Sequence, residues 1–300
     1  MKILLFGKDG QVGWELQRSL LTLGDVVASE QHELDFETPD AVRAWVRRHE
    51  PDIIVNAAAY TAVDQAESEP DKARRINADA VGVLAEEAKR LNAWLVHYST
   101  DYIFDGEKHG PYEEADRPNP LSVYGKTKLD GEIHIRDCHA KHLIFRTSWV
   151  YAARGKNFAK TMLRLAKERE QLNVIDDQHG APTSAELLAD VTALALHRVL
   201  QQKDSADVAG TYHVVARGET TWHHYAQYVI ALAHEKGVAL KTTPDAIHPI
   251  ATEAYPLPAR RPRNSRLSSS KLTGVFGIQL PDWRIHVRRL IDELASQGGL

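Results

Sequence analysis

The stretch Lys2-Ile-Leu-Leu-Phe-Gly-Lys-Asp-Gly-Gln-Val-Gly13 decides the fold. Its apolar start ends in glycine, which predicts a buried β-strand, and helical periodicity then runs from Gln11 to Leu23. The glycines between the two elements are Gly7, Gly10 and Gly13. In dinucleotide-binding loops the first glycine permits a tight turn, the second lets a pyrophosphate approach the backbone, and the third lets the helix pack closely. A plain strand–turn–helix that needs glycine for its turn is the alternative.

The first half of the chain alternates strands with helices. Further strands are predicted at 26–29, 52–56, 93–98 and 142–147, and further helices at 39–49 and 70–91. Thr38 is the expected N-cap of the helix that begins at Pro39. This alternation requires right-handed crossovers and a parallel sheet covered on both faces. We therefore predict an α/β protein whose residues 1–150 form an NAD(P)-binding domain with a Rossmann-type doubly wound parallel sheet.

The second half is less regular. Helices are predicted at 157–170, 185–200, 221–236 and 282–294, and short strands at 172–175 and 211–215. A Pro- and Arg-rich segment at 255–266 is expected to be irregular, and long irregular segments in compact proteins are often functional. We predict a smaller mixed α/β substrate-binding lobe over residues 151–300, with some of its segments returning to the sheet.

Bulk composition excludes several classes of protein. The net charge is −4, which argues against a nucleic-acid partner or a charged membrane surface. The apolar runs are too short for a membrane span, and the apolar start is too short for a signal peptide. Cys138 is the only cysteine, so no disulfide can form within the chain. We therefore expect a cytoplasmic protein.

Tyr124 and Lys128 form a candidate acid/base pair. They lie in Asn119-Pro-Leu-Ser-Val-Tyr-Gly-Lys-Thr-Lys128, which reads as a loop entering a helix, and the i, i+4 spacing places both on one helix face. The positive charge of a nearby ammonium stabilises the phenolate, so we expect the pKa of Tyr124 to fall toward the pH at which the protein works. Such a phenol could protonate a carbonyl oxygen or deprotonate an alcohol. Tyrosine and lysine often occur at this spacing by chance, but the glycine-rich loop in the same chain favours the functional interpretation.

Two strand ends carry residues suited to a ligand. Small residues at 56–60 end the third strand, where a ligand could lie against the backbone. Ser99-Thr-Asp-Tyr-Ile-Phe-Asp-Gly106 ends the fourth strand, and the Thr100 hydroxyl could orient a substrate oxygen opposite Tyr124. A well-packed strand end and an ordinary turn are the alternatives.

The adenosine ribose of a dinucleotide needs an acidic residue near the end of the second strand. Glu30 is closest to that position and Asp35 follows it. Arginine is absent from 29–38, which leans toward NAD rather than NADP. Solvated loop charge is the alternative for both acids.

Histidines are concentrated at two places in the sequence. His134, Cys138, His139 and His142 include zinc-ligand types, but a second cysteine and structural-site spacing are absent from the sequence. We interpret them as a helix end and the start of the next strand. His223 and His224 are expected to be exposed imidazoles at a helix start.

Several runs together carry a family resemblance; they are Gly7–Gly13, 56–64, 99–106, 124–128, 146–151, 177–183 and 261–267. With them the chain resembles the extended short-chain dehydrogenases/reductases, and more narrowly the dTDP-4-dehydrorhamnose reductases of bacterial dTDP-L-rhamnose synthesis. The resemblance covers the whole chain. It implies NAD(P)H-dependent reduction of the C4 keto group of a nucleotide sugar, in the pathway to O-antigen and other cell-surface polysaccharide.

The resemblance also implies roles for individual residues. Tyr124 would donate a proton to the C4 carbonyl oxygen, Lys128 would lower its pKa and bind the nicotinamide ribose, and Thr100 would hydrogen-bond the reacting oxygen. The nucleotide sugar would contact Thr100, Asp101 and Trp149. NADPH or NADH would lie against Gly7, Gly10, Gln11, Val12, Gly13, Asp35, Phe36, Ala59, Tyr60, Thr61, Tyr124 and Lys128.

A metal is implied by the resemblance alone. Some family members bind Mg²⁺ between the subunits of a homodimer through glutamates, and the matching positions here are Glu15, Glu186 and Glu293. Carboxylate oxygens suit Mg²⁺. From composition all three are solvated helix charges.

Rival functions remain open. Dehydratases of this superfamily carry Thr-Asp-Glu where this chain has Thr100-Asp101-Tyr102, which argues against dehydration. A nucleotide-sugar epimerase is harder to exclude. A non-catalytic regulatory subunit on the same Rossmann fold is the third alternative, since fold does not imply function.

Overall fold

The structure, a computed structural model, describes residues 1–29, 33–201 and 205–296. Its strands are β1 (Lys2–Phe6), β2 (Asp25–Ala28), β3 (Ile53–Asn56), β4 (Trp94–Thr100), β5 (His142–Thr147), β6 (Val150–Tyr151), β7 (Leu172–Ile175), β8 (His179–Gly180), β9 (Thr183–Ser184), β10 (Gly210–His213), β11 (Thr220–Thr221) and β12 (Ile247–Ile250). Its α-helices are α1 (Gln11–Leu20), α2 (Pro39–His49), α3 (Val63–Ala66), α4 (Pro70–Arg74), α5 (Ala80–Leu91), α6 (Val123–Cys138), α7 (Phe158–Glu168), α8 (Ala185–Gln201), α9 (Trp222–Glu235), α10 (Ser270–Phe276) and α11 (Trp283–Ser296).

A six-stranded parallel sheet with the order β10-β5-β4-β3-β1-β2 forms the centre. In β1, Ile3 and Leu5 belong to the core that contains α1 and α8, whereas Leu4 and Phe6 belong to the core that contains α2 and α5. Helices on both faces explain why the strands are continuous apolar runs rather than alternating ones. The predicted doubly wound parallel sheet is confirmed.

The strand order also fixes where a ligand can bind. The chain leaves β1 toward β2 on one side and returns to β3 on the other side. Ligands of open α/β sheets bind at the carboxyl ends of the strands where the order reverses in this way. The loops after β1 and β3 therefore meet at this crevice.

Segments of the second half return to the sheet. Strand β10 pairs with β5, and Leu187, Leu188 and Leu196 of α8 share one core with Leu16 and Leu20 of α1. Short two-stranded ladders pair β6 with β9, β7 with β12 and β8 with β11. The division of the chain at residue 150 stays a prediction. Among the described residues, none of the helices combines the length and the apolar character that a bilayer span requires.

The structure differs from the sequence-based expectations at three points. The helix predicted over 70–91 is divided into α4, a π-helical segment at Arg75–Asp79, and α5. Thr38 precedes α2, but its side chain makes no capping hydrogen bond. The Pro- and Arg-rich segment at 255–266 contains none of the helices and strands, as expected, but β12, which precedes it and pairs with β7, was not predicted.

Candidate active site

The glycine loop lies at the crevice between β1 and α1. Gly7 has a φ of 80°, and a Cβ on it would lie 2.6 Å from the Ala58 nitrogen. A Cβ on Gly13 would lie 1.9 Å from the Gly7 carbonyl oxygen, so this glycine serves the close packing of α1. Gly10 has a φ of −73°, and the nearest atom to its Cβ would be the Gly7 oxygen at 3.4 Å. The fold thus requires glycine at 7 and 13, while at 10 the bare backbone leaves room for a ligand.

Two cavities adjoin along the carboxyl edge of the sheet and share Gly10, Ala57 and Ala59. The first has a volume of about 470 Å³ and the second about 400 Å³. Of the predicted site residues, the first is lined by Gly7, Gly10, Asp35, Phe36, Ala59 and Tyr60. The second is lined by Gly10, Gln11, Val12, Ala59, Thr61, Thr100, Asp101, Tyr124, Lys128 and Trp149. Gly13 lines neither cavity, because it lies beneath the loop.

The first cavity is bordered by charge that the sequence argument did not consider. Asp35 is exposed and its Oδ1 accepts from the Glu37 nitrogen at 2.8 Å. Lys72, from α4, lines the same cavity and pairs with Glu37 at 2.9 Å. Lys72 lies outside the range 29–38, in which the sequence offers no arginine to meet a 2′-phosphate. Glu30 lies outside the described residues.

Asn77, in the π-helical segment, holds the loop after β3 in place. Its Oδ1 accepts from the Tyr60 nitrogen at 2.9 Å, and its Nδ2 donates to the Tyr60 oxygen at 3.1 Å and to Thr127 Oγ1 on α6 at 3.2 Å. A Cβ on Gly131 of α6 would lie 2.3 Å from the Asn77 carbonyl oxygen, so the segment and α6 pack closely. π-helical segments often occur at functional sites. The sequence carried no signal for this residue.

Tyr124 lies partly exposed in the second cavity, in the first turn of α6. Burial raises the pKa of Tyr124 to about 12; the Thr100 hydroxyl lowers it by less, and the Asp101 carboxylate raises it. The expected fall in the Tyr124 pKa is therefore wrong for the protein without ligand. The phenol is protonated throughout the physiological pH range.

Lys128 explains why the expectation failed. Its Nζ donates to the Tyr98 carbonyl oxygen at 2.6 Å and lies 3.1 Å from His97 Nε2, so its hydrogen bonds go to β4 rather than to Tyr124. Burial lowers the pKa of Lys128 to about 8, and the Glu132 carboxylate raises it by less. Sharing a helix face did not bring the ammonium to the phenol, because the long Lys128 side chain extends onto the sheet.

Thr100 and Asp101 end β4 beside Tyr124. The Thr100 hydroxyl donates to Asp101 Oδ1 at 3.1 Å and accepts from the Tyr102 nitrogen at 3.2 Å. Burial raises the pKa of Asp101 to about 6, while hydrogen bonds from Ser265 and Thr100 lower it. Asp101 Oδ2 is buried without a hydrogen-bond partner. An unpaired buried acceptor in a cavity is a position where a ligand donor would be stabilised.

Trp149 forms a rigid wall of the second cavity. Its φ is 49°, which is uncommon for any residue other than glycine and often marks a functional position. Its ring stacks on Trp222 with centroids 3.6 Å apart, and on the other side a Cβ on Gly180 would lie 2.7 Å from it. Trp222 in turn donates to Gln178 Oε1 at 3.1 Å. Sequence reasoning missed Trp222, which it treated only as part of a helix start.

The three glutamates predicted for Mg²⁺ converge at a separate place. Glu15, Glu186 and Glu293 line a cavity of about 20 Å³ between α1, α8 and α11. Burial raises the pKa of Glu15, the Glu186 carboxylate adds to this rise, and the Arg18 guanidinium opposes it. Carboxylates that repel one another in this way would be relieved by a cation, and their oxygens suit Mg²⁺. The residues fit the metal, and its binding stays a prediction.

The histidines behave partly as expected. His139 Nε2 and His142 Nδ1 bond to backbone carbonyl oxygens at 2.7 and 2.6 Å. His223 was expected to be exposed and is buried, because α9 packs on β12, whereas His224 is exposed. Within the described ranges, Asp176, His223 and His224 are the group of three whose potential metal-ligand atoms lie within 4.8 Å of one another.

Comparisons with known proteins identify the family of this chain. The sequence matches the family described as RmlD substrate binding domain over residues 1–296. The dTDP-4-dehydrorhamnose reductase of Escherichia coli (strain K12) is 55% identical over an alignment of 298 residues that covers 98% of this chain and 98% of that protein. The dTDP-4-dehydrorhamnose reductase structure from Clostridium acetobutylicum has a TM-score of 0.88 at 35% identity, covering 98% of this chain and 99% of that one. The Bacillus anthracis enzyme, solved in complex with NADP, has a TM-score of 0.86 at 34% identity, covering 97% and 99%. This chain belongs to the dTDP-4-dehydrorhamnose reductase family.

Proposed function

We propose that the protein reduces the C4 keto group of dTDP-4-dehydro-L-rhamnose with NAD(P)H, giving dTDP-L-rhamnose for cell-surface polysaccharide. One observation carries this proposal. The adjoining cavities bring together the bare backbone at Gly10, the protonated phenol of Tyr124 and the unpartnered oxygen of Asp101. This reaction needs a backbone that a long anionic cofactor can approach, a proton donor for the C4 oxygen, and an acceptor for a hydrogen bond from a sugar hydroxyl.

The residues of the second cavity divide the chemistry. When bound, the nicotinamide supplies the hydride for C4. Tyr124, whose pKa burial raises to about 12, donates its proton to the oxygen that develops negative charge. The Thr100 hydroxyl orients that oxygen through a hydrogen bond, and Asp101 accepts a hydrogen bond from a hydroxyl group of the sugar. The Trp149 ring offers a flat face to the sugar or the base.

We further propose that NADPH is the preferred cofactor. A relative was solved in complex with NADP. In this chain Lys72 borders the first cavity, and Arg75 pairs with the same Glu37 carboxylate at 3.3 Å. These two cations lie outside the 29–38 window on which the leaning toward NAD rested. A 2′-phosphate in this cavity would compete with Glu37 for them.

Tyr124→Phe tests the assignment of the acid. The variant keeps the aromatic ring, so it should fold and bind NADPH as the wild type does. Its single-turnover rate with dTDP-4-dehydro-L-rhamnose should fall roughly 10²–10⁴-fold, the usual contribution of a positioned general acid. Tyr102→Phe is the matched control, because its ring lies 5.6 Å from that of Tyr124 in the same cavity. A large loss in the Tyr102 variant with little loss in the Tyr124 variant would reverse the assignment.

Cofactor behaviour separates the rival functions. A reductase consumes one NADPH for each sugar reduced, so nicotinamide absorbance falls in proportion to product. An epimerase interconverts sugars without net loss of that absorbance. A regulatory subunit binds ligands without turnover, and either result would overturn the proposed reaction.

We also propose that the enzyme works in the cytoplasm as a homodimer with Mg²⁺ at the three-glutamate site. The helices that carry Glu186 and Glu293 also carry exposed apolar side chains: Leu194 of α8 is 54% exposed and Ile285 of α11 is 59% exposed.

A further inference from the structure

A buried chain of hydrogen bonds links β3, β4 and α6 beneath the second cavity. The Ala58 nitrogen donates to Asn56 Oδ1 at 3.0 Å, and Asn56 Nδ2 lies 3.1 Å from His97 Nδ1. His97 Nε2 then lies 3.1 Å from Lys128 Nζ. The exposed fractions of Asn56, His97 and Lys128 are 1%, 0% and 2%, so water cannot correct a mismatched contact.

The direction of each bond follows from the first. Because Asn56 Oδ1 accepts from Ala58, its Nδ2 amide faces His97 and can only donate. His97 Nδ1 must therefore accept, and a neutral imidazole that accepts at Nδ1 carries its hydrogen on Nε2. That hydrogen points at Lys128 Nζ. An ammonium has three donors and no acceptor, so only a neutral amine completes the chain.

Other proton arrangements each leave two donors face to face. Turning the Asn56 amide over places its NH₂ group against the Ala58 N–H. Moving the His97 hydrogen to Nδ1 places it against Asn56 Nδ2. A second proton on His97 is opposed by burial, which lowers the pKa of His97 well below its usual value, and by Lys128.

The charges around Lys128 come from three elements. On α6, the Glu132 carboxylate favours the ammonium form of Lys128. The same carboxylate is bound by Arg146 of β5 through two hydrogen bonds of 2.9 and 2.7 Å. Tyr124, on the same helix, is neutral. On β4, His97 is neutral and the Tyr98 carbonyl oxygen accepts from Lys128 in either protonation state. The burial that lowers the pKa of Lys128 to about 8 is consistent with the bond directions.

We propose that His97 is a positioning residue that favours the neutral amine of Lys128 in the free protein, and that dinucleotide binding at alkaline pH is therefore coupled to uptake of a proton at Lys128. The proposal rests on the proposed function, because it needs the dinucleotide to bind in the cavity that Lys128 lines. The anionic pyrophosphate and the ribose hydroxyls favour an ammonium there. The proton comes from the buffer and bonds to the Nζ lone pair. Lys128 Nζ then no longer accepts a hydrogen bond from His97 Nε2–H.

Calorimetric titration with NADPH in two buffers of different ionisation enthalpy measures this uptake. At pH 8.5 the phosphates of NADPH are fully ionised, so the protein supplies the change. A lysine whose pKa of about 8 returns to the ordinary value of 10.5 on binding takes up about 0.7 proton per NADPH at this pH. Binding with uptake near zero would overturn the proposal and leave the proposed function standing. Failure to bind NADPH at all would overturn both.

Asn56→Asp tests the part played by His97. A carboxylate at 56 accepts from both Ala58 and His97 Nδ1–H, which moves the lone pair to Nε2 and makes His97 an acceptor for an ammonium. Lys128 is then charged before NADPH arrives, and uptake at pH 8.5 should fall at least threefold. Asn173→Asp, at an exposed position on β7, carries the same charge change and should keep the wild-type uptake.

Lysine ¹³Cε chemical shifts give a second readout on the free wild type. The Lys128 signal, assigned by its loss in Lys128→Met, should titrate near pH 8. Titration above pH 10 would overturn the neutral amine. Unchanged uptake in a folded Asn56→Asp protein would overturn the role of His97.

Discussion

Replacing Lys128 with methionine should change how the stability of the free protein depends on pH. Methionine keeps most of the apolar stem and removes the titrating group. It also removes the hydrogen bonds to Tyr98 and His97, but that loss is nearly the same at every pH. The informative quantity is therefore the slope of the free energy of unfolding against pH, compared between the two proteins.

The sign follows from proton counting. The pKa of Lys128 is about 8 in the folded protein and 10.5 for an ordinary lysine, so between these values the unfolded chain binds more protons. The free energy of unfolding of the wild type should therefore rise with pH across this window. Integrating the linkage from pH 8.0 to 9.5 gives about 1.5 kcal/mol from this one group. The tyrosines whose pKa burial raises act in the opposite direction above pH 10, which sets the upper limit of the range.

Urea unfolding at pH 8.0, 8.5, 9.0 and 9.5, followed by tryptophan fluorescence, provides the measurement. The wild-type curve should rise relative to the Lys128→Met curve by about 1.5 kcal/mol over the series. Lys126→Met, at an exposed position on the same helix, is the control and should run parallel to the wild type. Parallel curves for all three proteins would refute the low pKa of Lys128.

Four further results are expected. Gly10→Ala should fold normally and weaken NADPH binding at least about tenfold, whereas Gly274→Ala, with open space around its Cβ, should bind normally; equal affinities would remove the glycine loop from the cofactor site. Trp149→Ala should raise KM for the nucleotide sugar about tenfold and leave KM for NADPH unchanged, and the reverse pattern would place Trp149 against the cofactor. Glu186→Gln should abolish the effect of a chelator on sedimentation, whereas a chelator effect equal to that in the wild type would argue against metal at Glu186. Lys72→Ala should raise KM about tenfold for NADPH and not for NADH, since only NADPH carries the 2′-phosphate; equal changes would refute the cofactor preference.

Periodicity and turn chemistry predicted most of the fold, and two elements show their limits. Strand β12 contains Pro249, which argues against a strand in sequence reasoning, yet it pairs only with β7 at an edge where proline is tolerated. The π-helical segment depends on the close approach of Asn77 to Gly131, 54 positions further along the chain. A pattern read within one window contains neither contact.

The site shows the same division. The glycine loop and the strand-end residue Thr100 could be assigned to one crevice, because parallel topology brings the carboxyl ends of strands together. The stacking of Trp222 on Trp149 joins residues that are distant in sequence and unrelated by any motif. The direction in which the pKa of Tyr124 is shifted depends on where the Lys128 side chain extends, and helical spacing does not determine that.

Burial shifts the pKa values of three residues in the site, and the shifts matter for the reaction. Burial is the largest influence on the pKa values of Tyr124, Lys128 and Asp101, and in each residue it favours the neutral form. Shifts in this direction reduce the cost of holding unpaired charges away from water. Further charge arrives with the ligands, since a dinucleotide and a nucleotide sugar each bring a pyrophosphate. Tyr124 therefore meets the keto sugar with its proton in place. Above pH 8, where most of Lys128 in the free protein is a neutral amine, any lowering of the Tyr124 pKa by Lys128 follows the charging of that amine.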